Sequence, residues 1–369
     1  MISKLKVYLV GGAVRDMLMG ITAKDRDWVV VGSTPQEMLD LGFSQVGKDF
    51  PVFLHPETKE EYALARTERK VSLGHTGFEC EFNPTVTLED DLKIRDVTMN
   101  AIAYDVATET FIDPFGGRSD INAGIIKAVS KHFAEDPLRV LRVARFAARY
   151  NFTVDNDTLL MMQKIVNDGE LTHLSSERIF MELTKAMGEP YPVKFLNVLT
   201  SVNALGDAFG VSEKDISIVK NNAKLLSNFH TIDERIMFLF HNVSDCTFYN
   251  FNWKFNLPSD MKTIMKHIKQ HTNIAQLQRN KDVDGIFNVF KRIDIMRRPY
   301  IFTQMVTQLC IGDINNTRLY VELIALMYTC RNAVSNVDVL SYNLTGIEIK
   351  TLLDSVLKQT ITDYFGNKI

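Results

Sequence analysis

The spacing of apolar residues changes once, near residue 130, and this constrains the fold more than any other feature of the chain. Before that point short apolar runs alternate with turn residues, which predicts strands and short helices; after it, apolar residues recur at helical spacing. Strands are expected at 6–10, 28–31, 52–55, 61–66 and 110–112, with helices at 13–19 and 36–41. Thr34 and Pro35 supply an N-cap and a first-turn proline for the second helix. Longer helices are expected at 137–150, at 159–166 and from 176 through 183. The expected class is α+β: a mixed α/β unit over 1–130, a helical segment over 131–205 and a helical remainder over 206–369.

With a net charge of −3 the protein is not coated in basic surface, yet a local stripe of arginines for binding RNA remains open. No apolar run approaches the roughly 20 residues that span a bilayer, and the amino terminus lacks a basic stretch followed by an apolar core. A cytoplasmic protein with no membrane partner is expected. Cys80, Cys246, Cys310 and Cys330 form no CxxC pair, so neither a zinc site nor a disulfide framework is indicated.

Asp25 and Asp27 stand at the mouth of the apolar run Trp28-Val-Val-Val31. Residues two apart in an extended chain point to the same side, so both carboxylates are expected to face one cavity. Paired anionic oxygens on a strand suit Mg²⁺, and a two-metal centre serves in-line phosphoryl transfer. Alone, such a pair is weak evidence and is more often a solvated turn. Upstream, Gly11-Gly12 lies between a strand and a helix, where backbone N–H groups can hold phosphate oxygens, and Arg15 follows one turn into that helix. Strand, Gly-Gly, helix, Arg and then the acid pair together are much more specific than any one part.

In the helix expected at 137–150, Arg139, Arg142, Arg145 and Arg149 recur at spacings of three, three and four along one face. Few acids lie within the stripe, so a triphosphate or an RNA backbone is the expected counter-ion. Asp136 precedes them. Cytosine and adenine each offer an amino donor beside a ring-nitrogen acceptor, an edge that Asp136 accepting and Arg139 donating can select over uracil and guanine.

Together these residues resemble the class II tRNA nucleotidyltransferases, the CCA-adding enzymes of the polymerase-β superfamily. Residues 9–16 and 24–32 look like catalytic motif A of that family. Arg95-Asp96-Val-Thr-Met-Asn100 resembles the ribose-recognising motif B, although Ile94 stands where many members carry a first arginine. Glu135-Asp136-Pro-Leu-Arg139 resembles the amino-acid template for the incoming base, and Glu177-Arg178-Ile-Phe-Met-Glu182 a helix-bracing motif. The resemblance implies a polymerase-β-like head followed by an all-α neck, body and tail. It also implies metal ligation by Asp25 and Asp27, with Mg²⁺ as cofactor. Nucleotide contacts would come from Gly12, Arg15, Arg95, Asp136, Arg139, Arg142 and Arg145. CTP and ATP would be the substrates and tRNA the partner. Segment 65–91, including His75-Thr-Gly-Phe78, resembles the family's flexible loop and favours full CCA addition.

Many relatives carry a metal-dependent HD phosphohydrolase domain at the carboxyl end. Here His241-Asn242 stands where a His-Asp pair would be, and no Gly-Lys follows. His267 and His271 share a helical face but read as structural without that aspartate, so residues 206–369 are expected to be a shortened relic of the domain. Other readings remain open: a small-molecule nucleotidyltransferase, a catalytically dead RNA-binding module, a poly(A) polymerase, or Glu61 as a third metal carboxylate. Oligomeric state is not legible.

Overall fold

The structure, a computed structural model, describes residues 5–23, 25–46, 52–70, 78–310, 314–341 and 344–366. Contacts divide it into two units, Met1–Val211 and Ser212–Ile369. The segments expected as 1–130 and 131–205 both lie in the first unit. That unit runs past 205 because the short helix Leu205–Phe209 buries Ala208 and Phe209, and Val211 N–H still bonds back to Leu205 O at 3.4 Å.

The first unit begins with β1 (Lys6–Val10), α1 (Gly12–Leu18), β2 (Asp27–Val31), α2 (Pro35–Asp40), β3 (Ser44–Val46), β4 (Val52–Leu54) and β5 (Glu61–Leu64). A hairpin of β6 (Thr67–Lys70) and β7 (Phe78–Glu81) follows, then α3 (Leu88–Lys93), β8 (Ala103–Asp105), β9 (Thr110–Ile112) and α4 (Gly117–Ala123). One seven-stranded sheet forms in the order β3-β4-β5-β2-β1-β8-β9, and only β2 and β5 pair in parallel. β2 is central and covered on both faces. Val29 packs with Val10, Leu92 and Ala103 on one side, and Val30 with Met38, Phe53 and Leu64 on the other. That is why its sequence is continuously apolar instead of alternating.

Local signals are met where expected. Thr34 caps α2 in a reciprocal box with Glu37, its Oγ1 accepting from Glu37 N–H at 3.2 Å while Glu37 Oε2 accepts from Thr34 N–H at 2.9 Å. Two strands stop short of expectation. β4 ends at Leu54 because His55 Nδ1 accepts from Glu57 and Thr58 N–H in a turn, and β5 ends at Leu64 because Arg66 N–H turns to Asp91 Oδ1. β3 and β8, three residues each, were not expected. The segment expected as a loop over 65–91 holds β6, β7 and the start of α3; its His75, Thr76 and Gly77 lie outside the described residues.

Beyond the sheet, α5 (Leu138–Tyr150), α6 (Asn156–Asn167) and α7 (Ser176–Gly188) each run longer or start later than expected by a few residues. In the second unit every regular element described is helical, ending with Gly346–Gly366. At its start the buried Asp215 accepts hydroxyls from Ser212 and Ser244, both at 2.6 Å, and from Thr247 at 2.5 Å, pinning the start of the helix Asp245–Phe255. No described helix is long and apolar enough to cross a membrane.

Candidate active site

β1 delivers the chain to Gly11, whose φ of 71° is left-handed and favours glycine. A Cβ there would lie 3.0 Å from Arg95 Nη1 and 3.8 Å from Asp27 Oδ2. The glycine therefore lets the turn close against both a cation and a carboxylate. Asp27 opens β2 opposite Val10, but Asp25 lies in a bend before the ladder. The expected strand alternation does not extend to Asp25, because β1 ends at Val10 and offers it no partner; both carboxylates nonetheless line one cavity. Loss of water around Asp27 raises its pKa, the neighbouring Arg95 opposes this, and Asp25 adds repulsion. Arg95 also donates to Asp91 Oδ2 at 3.0 Å.

Arg15 is held more tightly than its expected phosphate role requires. Its Nε and Nη2 donate to Asp16 Oδ1 at 2.9 and 2.7 Å, Nη1 donates to Asn100 Oδ1 at 2.6 Å, and the guanidinium lies 5.0 Å from the Tyr150 ring centre. Tyr150 O–H donates to the same Asp16 oxygen, and burial pushes its phenol up to about 12. Asn100 in turn donates to Asp96 at 2.9 Å, and Arg142 donates twice to Asp96 Oδ2, at 3.0 and 2.8 Å. Burial alone would favour a neutral Asp96, but Arg142 and the hydrogen bonds hold its carboxyl down at about 2.

The arginine face of α5 does not wait for a ligand to be neutralised. Arg142 has Asp96; Arg145 has Glu182 at 2.6 Å and Glu189 at 3.8 Å; Arg149 has Asp16 at 3.6 Å. These acids come from α1, α7 and the segments beside α3 and α7, which a search along the stripe itself does not reach. Arg139 donates to two backbone carbonyls, His132 O at 2.8 Å and Ile94 O at 2.7 Å. Asp136 caps Leu138 N–H at 3.0 Å and accepts from Arg178 Nη2.

All the nucleotide-site candidates line one cavity of about 960 Å³, from Gly11 and Gly12 through Asp25, Asp27 and Arg95 to Asp136, Arg139, Arg142 and Arg145. It also takes in Arg66, Asp91, Asn100, Arg178 and Lys185, which the sequence did not single out for nucleotide contact. Glu61 stands opposite Asp27 in the parallel register of β2 and β5 and so shares its face of the sheet, but it is not among the residues that line the cavity. In the second unit Asn242 adopts a φ of 60° beside His241, whose imidazole burial pushes down to about 4. His267 and His271 stack with ring planes 10° apart and centroids 5.6 Å apart. No group of three or more His, Cys, Asp or Glu placed to hold a metal occurs among the described residues.

Residues 7–127 match the family model of the poly(A) polymerase head domain, and residues 151–207 that of a probable RNA- and SrmB-binding site of polymerase A. The multifunctional CCA protein of Nitrosococcus oceani is 39% identical over 337 residues, covering 82% of this chain and 83% of that protein. That of Pasteurella multocida is 55% identical over 204 residues, 54% of this chain and 48% of that protein. The chain thus spans about half the length of some curated relatives it matches most strongly. Among solved structures, a CCA-adding enzyme in complex with ATP superposes with a TM-score of 0.73 at 19% identity, over 97% of this chain and 86% of that one. The Bacillus stearothermophilus CCA-adding enzyme in complex with CTP gives 0.64 at 23%, over 98% and 90%. At these identities the likeness is one of fold.

Proposed function

This chain belongs to the family of the multifunctional CCA proteins, and on that footing we propose that it adds the 3′-terminal CCA to tRNA from CTP and ATP, releasing pyrophosphate. The observation that carries this reading is one cavity receiving the acid pair Asp25 and Asp27, the Gly11-Gly12 turn and the Asp136 carboxylate. A small-molecule transferase needs only the first two.

Asp25 and Asp27 fit Mg²⁺: both are hard oxygen donors, and two protein carboxylates leave the remaining positions to water and substrate phosphates, as that ion prefers. When bound it would supply neutralisation of the triphosphate and a lowered pKa for the attacking hydroxyl. Glu61 is a further candidate carboxylate. The Gly11-Gly12 turn brings backbone against the triphosphate, with Arg95 beside it. Arg142, fixed by Asp96, presents its charge to the nucleotide, and Arg15, beside Gly12, and Arg145 line the same cavity. Asp136 and Arg139 would read the base edge. In this scheme residues 1–130 act as head, 131–205 as neck and 206–369 as a body and tail that hold tRNA.

The test is to incubate the protein with Mg²⁺, tRNA lacking its CCA end and each nucleotide singly and together. Ordered incorporation from CTP and then ATP supports the reading. Long tracts from ATP alone would make it a poly(A) polymerase, and CTP use without subsequent ATP use a CC-adding enzyme.

A further inference from the structure

Arg15, Arg95, Arg139, Arg142, Arg145, Arg149 and Arg178, which line the cavity, each have a carboxylate or a backbone carbonyl as partner, and Arg66 is engaged as well. Lys185 lines the same cavity, is exposed, and has no hydrogen bond or ion pair among the described residues. This is unusual for its position. A helical lysine finds its acid three or four residues away, and Lys185 has Glu182 three before it and Glu189 four after it. Both are drawn off by α5: Glu182 accepts from Arg145 at 2.6 Å, and Glu189 lies 3.8 Å from Arg145 and is attracted by Arg149. The two acids face inward and the ammonium faces out.

We propose that the Lys185 ammonium is a contact for a backbone phosphodiester of the RNA acceptor strand as it enters the cavity. The inference rests on the functional reading above. A long, exposed cation at the cavity, unpaired among the described residues, suits a phosphate arriving from solvent, whereas the arginines that line the cavity are already engaged within the protein. The same charge could meet a nucleoside triphosphate, so the test separates the two sources.

Lys185→Gln and Lys185→Arg are compared with wild type in steady-state CTP incorporation on tRNA lacking CCA, at several salt concentrations. The Gln variant is expected to raise KM for tRNA from a few-fold to about tenfold, to leave KM for CTP unchanged, and to make the dependence of log(kcat/KM) on log salt shallower by ~0.7–1. The Arg variant is expected to restore all three. A purely structural role, a cation at the carboxyl end of α7, would lower the melting temperature without moving the salt slope. Unchanged tRNA KM and slope overturn the inference, as does a rise confined to the KM for CTP. Failure of the wild type to extend any tRNA would overturn the functional reading itself, and the inference with it.

Discussion

Arg178 Nη2 reaches Asp136 Oδ2 at 3.3 Å, joining α7 to the start of α5 across 42 residues of chain. The bond does not exhaust the carboxylate. An ionised aspartate has about four acceptor sites, and Asp136 engages three of them, one with Leu138 N–H and two with Arg178 Nη2. Arg139 likewise keeps donors, since its bonds to His132 O and Ile94 O employ two of the five N–H groups a guanidinium carries. The pair is anchored from behind and retains capacity in front.

Removing Asp136 deletes one accepted hydrogen bond from both correct bases and removes an acceptor that repels the carbonyl of uracil or guanine. A hydrogen bond to a charged group is worth roughly 1.5–3 kcal/mol, about 10–150-fold. Asp136→Ala is expected to weaken CTP and ATP use together and to narrow the gap to UTP and GTP by that factor. Arg178→Gln is expected to shift the ratios the same way, less far. Single-nucleotide incorporation on tRNA ending before the first C and on tRNA ending in CC measures both; wild-type ratios for Asp136→Ala would place base selection elsewhere.

At the acid pair, Asp25→Ala or Asp27→Ala is expected to cut turnover by at least the ~10²–10³ that follows loss of one strong electrostatic stabiliser, for all nucleotides alike. Circular dichroism and melting should be unchanged. Near-wild-type turnover by Asp27→Ala would remove it from the reaction.

The pH profile carries a signed expectation. Asp27 must be ionised to hold a cation; desolvation raises its pKa and the charge of Arg95 lowers it. Arg95→Gln removes the lowering influence, so the acidic limb of kcat/KM should move to higher pH, and adding back salt should not reverse it. A limb that stays in place would show that another group sets it.

Glu182 is buried against Arg145. Glu182→Ala leaves the guanidinium in the interior with only Glu189, 3.8 Å away, and is expected to destabilise the first unit by about 3–5 kcal/mol in urea unfolding. Glu182→Leu combined with Arg145→Met, which removes both charges, should recover much of that loss. A single Glu182→Ala variant as stable as wild type would mean that water or Glu189 suffices.

For the second unit, Asn242 supplies a neutral amide where a phosphohydrolase needs an anionic ligand. The purified protein is expected to show no 2′,3′-cyclic phosphodiesterase or phosphatase activity with added Ni²⁺, Mn²⁺ or Mg²⁺. Activity lost on His241→Ala would reverse this reading of the unit.

What the sequence determined by itself was local: the apolar run of β2, the cap and proline that start α2, the Gly-Gly turn, the stripe of α5 and the position of each motif along the chain. Such features arise from period, turn chemistry and capping, which neighbours in sequence decide. β3 and β8 went unseen because Ser44-Gln45-Val46 and Ala103-Tyr104-Asp105 mix polar with apolar residues, whereas the equally short β4 and β9 are marked by the apolar run Val52-Phe53-Leu54 and by the turn that follows Ile112. Tertiary structure alone decided which charge meets which. Asp96 took Arg142, Glu182 took Arg145, Arg178 took Asp136, and Lys185 was left without an acid among the described residues although two stood at helical spacing from it. The physical reason is that a buried charge needs a counter-charge wherever packing brings one within reach, and packing brings together residues that the chain keeps tens of positions apart.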